Sequence, residues 1–186
     1  RLDRHDPGDS IGVESEAEFL LRLLDAIGIR PEAFETDLLL TEGEVSTAQH
    51  WLSSTMTSPG HGPYIAVSPG AKWESKTWDE ERFLDVVTSL ICQYDCNPIV
   101  FGGVEDRGKG QRMIERWGRG ANAAGSLGVR EAAALLRECD LYLGNDTGTM
   151  HLGAAVGTPC VAIFTSLDWV GRWDPFGENN RIFRST

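Results

Sequence analysis

DLYLGNDTGTMHLGAAVGTPCVAIF, residues Asp140 to Phe164, is the stretch on which the reading of the whole chain turns. Leu141 to Gly144 form an apolar run of strand length, and Asn145, Asp146, Thr147 and Gly148 make a tight polar turn. Small residues from about Thr149 then predict a short helix, stopped by Gly157 with Pro159 beyond it, and Cys160 to Phe164 form a second apolar strand. A strand that passes through Asp-Thr-Gly straight into a helix leaves the first helical N–H groups without intrahelical partners, facing the crevice. Those amides and the positive end of the helix dipole favour an anion, so the turn reads as a phosphate seat.

Working outward, the pattern is regular from Tyr64 onward. A strand at Tyr64 to Ser68 leads through a loop into a helix carrying Phe83, Leu84, Val87, Leu90 and Ile91, with Thr77 and Glu80 as its capping box. A strand at Ile99 to Phe101 runs into Gly102 and Gly103, and a helix is expected at Gln111 to Trp117. A weak strand at Ala121 to Ala124 and a helix at Arg130 to Glu138 precede the stretch quoted first. Short apolar strands alternating with helices imply right-handed crossovers and an α/β, Rossmann-like parallel sheet with helices on both faces.

Before Tyr64 the order is weaker. Residues 1 to 13 are polar and carry no structural signal of their own. Ser15 with Glu18 makes a capping box for an amphipathic helix through Phe19, Leu20, Leu23, Leu24 and Ile27, ended by Gly28 and Pro31. Leu38 to Leu40 read as a short strand, Glu44 to Ser54 as a helix, and the turn-rich Thr57 to Pro63 as a linker. The expected division is therefore a lead-in and linker over 1–62 and a Rossmann-like domain over 63–186, the latter being the part that the family resemblance given below makes nucleotide-sugar-binding. The chain starts Arg-Leu-Asp-Arg-His without an initiator methionine, which suggests a piece of something longer.

Composition narrows the function. The chain has 186 residues, 41% of them hydrophobic, with a net charge of -11, which argues against a nucleic-acid partner because such a partner needs a basic face. No apolar run approaches the ~20 residues of a membrane span, and the polar N-terminus does not resemble a signal peptide. Cys92, Cys96, Cys139 and Cys160 show no CxxC spacing, so neither zinc nor a redox pair is suggested, and a reducing cytoplasm fits.

In parallel sheets ligands sit beyond the carboxyl ends of the strands. Three sets of residues qualify there. Ser68, Gly70 and Ala71 are small enough for backbone amides to approach a ligand, the bland reading being an ordinary turn. Lys76, later in that loop, puts an ammonium where a diphosphate needs one; the alternative is a solvated lysine. Glu105, after Gly102 and Gly103, is placed to accept ribose hydroxyls, with Asp106 as fallback, against the alternative of a solvated loop acid. Asp146 is either a ligand contact or a plain N-cap. Thr147 and His151 stand four apart and share a helical face, Gly148 permits close approach, and His151 alone would read as a core histidine. There is no GxGxxG fingerprint and no P-loop lysine, which disfavours NAD-dependent or ATP-hydrolysing chemistry. Trp73, Trp169 and Trp173 lie in loops and receive no role.

The spacing of SPGAKWESKTWDEERF, IVFGGVED and SLGVREAAALLRECDLYLGNDTGTMHLGAAVGTPCVAIF resembles the carboxyl-terminal half of the family 9 glycosyltransferases, the ADP-heptose:lipopolysaccharide heptosyltransferases. The resemblance runs from about Tyr64 to Phe164, and the helix at residues 15 to 27 also resembles the family's lead-in. It implies a GT-B architecture of two Rossmann-like domains, the carboxyl-terminal one holding the nucleotide-sugar donor, with no cofactor and no metal. By motif, Lys76 would meet the diphosphate, Glu105 the ribose, and Asp146, Thr147, Gly148 and His151 the donor's phosphate and sugar, alongside Ser68 and Gly70. The resemblance also implies that the catalytic base is an aspartate of an amino-terminal acceptor domain that this chain lacks, so the chain is expected to bind donor but not to transfer sugar alone. Implied partners are the nucleotide-sugar donor, a lipopolysaccharide core or other glycan acceptor and the missing domain. The implied place is the cytoplasm, at the inner face of the membrane with at most peripheral contact. The alternatives are a GT-B domain using another nucleotide sugar, such as a UDP-sugar transferase or epimerase, and a non-catalytic nucleotide-binding module.

Overall fold

A computed structural model describes residues 14–25, 27–30, 37–56, 60–166 and 169–184. The expectations for residues 1 to 13, for Pro31 and for the start of the linker fall outside these residues. The chain divides into two compact units, Arg1–Phe34 with Ser166–Asp174, and Glu35–Thr165 with Pro175–Thr186.

In the smaller unit, α1 spans Glu16–Asp25. The Ser15–Glu18 box closes as its spacing predicts: the Glu18 carboxylate accepts from the Ser15 amide at 2.9 Å, and the Ser15 hydroxyl accepts from the Glu18 amide at 3.2 Å. The Arg172 carbonyl accepts from the Glu16 amide, and its guanidinium reaches the Glu16 carboxylate and lies over the Phe19 ring.

The larger unit holds a six-stranded sheet, every pair parallel. Its strands are β1 Tyr64–Ser68, β2 Asn97–Val100, β3 Ala121–Asn122, β4 Leu141–Asn145, β5 Cys160–Phe164 and β6 Arg181–Arg184. They lie side by side as β3-β2-β1-β4-β5-β6. The order reverses direction between β1 and β4, and such a switch point opens a crevice at the carboxyl ends of the two strands. Ser68 at the end of β1 pairs in register with Gly144 near the end of β4, so both strands deliver their following loops to one place.

Period-two alternation sends the strand side chains to two cores. Ala66, Tyr142, Ala162 and Phe164 meet Ala48 of α2 (Glu42–Thr55), Leu135 and Leu136 of α5 (Val129–Arg137) and Met150 of α6 (Gly148–Ala155). Ile65, Val67 and Leu143 meet Phe83, Leu84 and Val87 of α3 (Glu80–Tyr94) and Met113 of α4 (Arg107–Trp117). On the α3 face, β5 and β6 leave Val161, Ile163 and the 63% exposed Phe183 lining a cavity of about 560 Å³, with Val86 opposite and Lys76 and Arg82 also at its walls.

Four expectations need correction. α3 is capped by Asp79, whose carboxylate accepts from the Arg82 amide at 3.2 Å, whereas Thr77 ends the preceding 3-10 turn, Glu74–Lys76. α4 begins at Arg107, four residues before the expected Gln111. Leu38 to Leu40 form no strand: the Leu38 amide donates to Ala155 and the Leu39 carbonyl accepts from Arg130. Strand β6 was not anticipated, because RIFR is short and has an arginine at each end, as an edge strand tolerates.

Candidate functional site

Asn145, the last residue of β4, organises the crevice. It is fully buried, and its side-chain oxygen accepts from the Trp78 amide at 3.0 Å. Its amide nitrogen donates to the carbonyls of Pro69 at 3.1 Å and Gly70 at 3.3 Å. One side chain thus ties the loop after β1, at both its start and its far end, to the end of β4. Loop atoms held at two points stay fixed relative to the turn that follows Asn145, and that turn carries the site.

Asp146 comes next. Its carboxylate does not cap the helix; it accepts from the Lys76 ammonium at 2.6 Å, with the acid's side chain 9% exposed and the lysine's 24%. The plain N-cap and the solvated surface lysine are thereby both excluded. Lys76 arrives from the 3-10 turn whose position Asn145 fixes, so the pair is assembled from two loops that share one anchor. The charge-assisted bond holds the ammonium at the mouth of the crevice, in a protein whose net charge would otherwise repel phosphate.

Thr147 is the N-cap of α6 with extended φ of -147° and makes no capping bond through its side chain. Its hydroxyl instead joins a chain running inward, 2.8 Å from Thr149 Oγ1, which is 3.0 Å from Ser68 Oγ. Tyr142 OH lies 3.4 Å from Thr147 Oγ1, and burial pushes that phenol up to about 12. Ser68 is 2% exposed, so its hydroxyl joins β1 to α6 rather than standing open in the crevice.

The glycines separate into two kinds. A Cβ on Gly70 would sit 2.2 Å from the Asp106 carboxylate, so any larger residue there must displace that side chain. A Cβ on Gly148 would meet nothing within 4 Å and its φ is ordinary, so nothing within the described protein requires glycine at the amide end of α6.

Glu105 is exposed in a 3-10 turn after β2, with its carboxylate folded against Gly103. Asp106 accepts from the Gly103 amide at 3.1 Å, a bond within its own turn, and its carboxylate lies against Gly70. His151 is half-buried one turn into α6; burial holds its pKa below the ordinary value, and the nearby Asp146 charge works against that shift. Trp73 is an exposed loop residue of the larger unit, while Trp169 and Trp173 belong to the smaller one.

Residues 12–186 match the signature of glycosyltransferase family 9 (heptosyltransferase). The chain belongs to that family. It is 27% identical over 157 residues to lipopolysaccharide heptosyltransferase 2 of Salmonella typhimurium, covering 79% of this chain and 42% of that protein. Among solved structures, that of the E. coli ADP-heptose lps heptosyltransferase II superposes with a TM-score of 0.69 at 25% identity, over 84% of this chain and 48% of the other. The E. coli heptosyltransferase WaaC with ADP shares the fold, with a TM-score of 0.66 at 19% identity over 96% of this chain and 53% of the other. This family 9 chain thus spans about half the length, or less, of the relatives it matches.

Two site features were missed in the sequence. Asn145 read only as a turn residue; the available signal was an amide side chain at the end of an otherwise apolar central strand, where a buried polar group needs partners. The Lys76–Asp146 bond joins residues 70 positions apart and has no local signature.

Proposed function

We propose that this chain is the donor-binding half of a heptosyltransferase, taking ADP-heptose and serving heptose transfer, with inversion, to a lipopolysaccharide core acceptor. The observation that carries the reading is the Lys76–Asp146 pair beside the unobstructed Gly148 at the switch point between β1 and β4. In this reading the diphosphate rests on the amide end of α6 and the Lys76 ammonium, while Glu105 accepts the ribose hydroxyls. Ser68, Thr147 and Thr149 hold the helix end in place, Gly70 closes the β1 loop on Asp106, and His151 lines the sugar side with Asp146. As the glycosidic bond breaks, negative charge grows on the departing ADP, and the preorganised ammonium and amides stabilise it without a metal or cofactor. The family membership and the ADP-heptose named with the fold neighbour at 25% identity support the choice of nucleotide. Proton removal from the acceptor hydroxyl is assigned to a carboxylate outside the matched half, since inversion needs a base on the face opposite the leaving group. The enzyme is placed at the cytoplasmic side of the inner membrane; among the described residues no helix is long and apolar enough to cross a membrane.

Calorimetric titration with ADP and UDP tests this. ADP is expected to bind, and Lys76→Ala to weaken it by about 1.5–3 kcal/mol, the usual worth of a hydrogen bond to a charged group. Binding of UDP alone overturns the heptosyltransferase assignment; ADP binding that ignores Lys76→Ala overturns the role of the lysine.

A further inference from the structure

We infer that Lys109 is a second ammonium for the nucleotide, directed at the phosphate nearest the ribose; the inference rests on the donor-binding reading above. Lys109 lies in the first turn of α4, which follows the 3-10 turn Val104–Asp106 beyond the carboxyl end of β2. Its half-buried side chain reaches across to β1, with the ammonium 3.5 Å from the carbonyl of Pro69. That carbonyl is the one Asn145 grips from the other side, so the charge stands one strand over from the Lys76–Asp146 pair, on the same rim. Glu105, the ribose-binding acid, sits in the turn that leads into α4.

The position is an unfavourable one for a cation. The first turn of a helix repels positive charge, and the nearest acid to that of α4, the N-cap Asp106, already accepts from the Gly103 amide. Its other cations all have internal work: Arg107 donates to the carbonyls of Ala124 and Gly125, and Arg112 and Arg116 pair with Glu80 and Glu81 of α3. Among the described residues Lys109 has no carboxylate partner and one long bond to a carbonyl, although an ammonium offers three donors. A part-buried ammonium held against a helix dipole gains from an anion placed within its reach. The acceptors it lacks are the oxygens of a phosphate ester, and Lys76 already serves the other end of the diphosphate.

The test is Lys109→Met, with Lys109→Arg as the charge-preserving control, titrated with ADP by calorimetry and unfolded by urea without nucleotide. ADP affinity is expected to fall about tenfold or more in Lys109→Met and to be largely retained in Lys109→Arg. Unliganded stability is expected to be unchanged or higher in Lys109→Met, because the substitution removes a charge that the helix end disfavours. A structural role would instead lower stability and leave affinity intact. Wild-type binding of ADP with equal affinity in Lys109→Met overturns the inference alone. Absence of ADP binding by the wild type overturns it together with the reading on which it rests.

Discussion

Replacing Asn145 is the perturbation that separates a positioned site from a merely adjacent set of residues. Asn145→Ala removes three hydrogen bonds of 3.0, 3.1 and 3.3 Å. At roughly 1 kcal/mol net each, the loss is about 3 kcal/mol. For a chain of this size that lowers the melting midpoint by about 6–12 °C, readable by calorimetry or by chemical denaturation. Asn145→Asp is sharper because it keeps the shape: one oxygen still accepts from the Trp78 amide, but the other faces the two carbonyls of Pro69 and Gly70. Burial and those carbonyls disfavour the ionised form, which places the introduced group's folded pKa above its unfolded value of about 3.9. A raised pKa gives a contribution that is fully present below the unfolded value and is lost as pH rises through the folded one. The Asn145→Asp chain is therefore expected to recover stability relative to wild type as pH falls from 7 to 4. A loss under about 1 kcal/mol in Asn145→Ala, together with a pH-independent gap for Asn145→Asp, would refute the view that this amide holds the two loops.

Further expectations concern the neighbouring groups. Arg130, followed by the Thr41 amide, lowers the Glu44 pKa to about 2, so its contribution is present above the unfolded carboxylate range and is lost as pH falls through about 2. Urea midpoints measured between pH 5 and 2 should accordingly fall less steeply for Glu44→Gln than for wild type. The His151 imidazole should titrate by NMR below its ordinary 6.5, and lower still in Asp146→Asn, since the Asp146 charge opposes the depression caused by burial. A depressed histidine favours the fold above its unfolded pKa, and that contribution is lost as pH falls through the folded value. Gly70→Ala drives a methyl group into the Asp106 carboxylate and should cost about 1–3 kcal/mol, less in an Asp106→Ala background, as a double-mutant cycle by denaturation would reveal.

The sheet was legible wherever strands are buried on both faces, because β1, β4 and β5 appear in sequence as continuous apolar runs between turn residues. The first turn of α4 was missed because Arg-Gly-Lys-Gly has poor helix formers and no apolar period to mark it. Leu38 to Leu40 misled in the opposite sense, since an apolar triplet without a sheet edge beside it has no ladder to join. In the site, the sequence placed Lys76, Asp146 and Gly148 on one rim from strand ends alone. The partnership of Lys76 with Asp146 was not legible, nor was the inward turn of the Thr147 and Ser68 hydroxyls, because both depend on which strands become neighbours. Strand order lies in long-range packing, which local pattern does not encode.

The bonds that build the crevice join parts of the chain far apart in sequence: 76 positions between Asn145 and Pro69, and 81 between Ser68 and Thr149. Closing loops of that size is entropically costly and slow, and no helix or hairpin can form such contacts in advance. The crevice beyond the carboxyl ends of these strands therefore emerges in the same kinetic step that seats β4 beside β1. Partly folded chains that still have their helices lack that crevice until the step is complete.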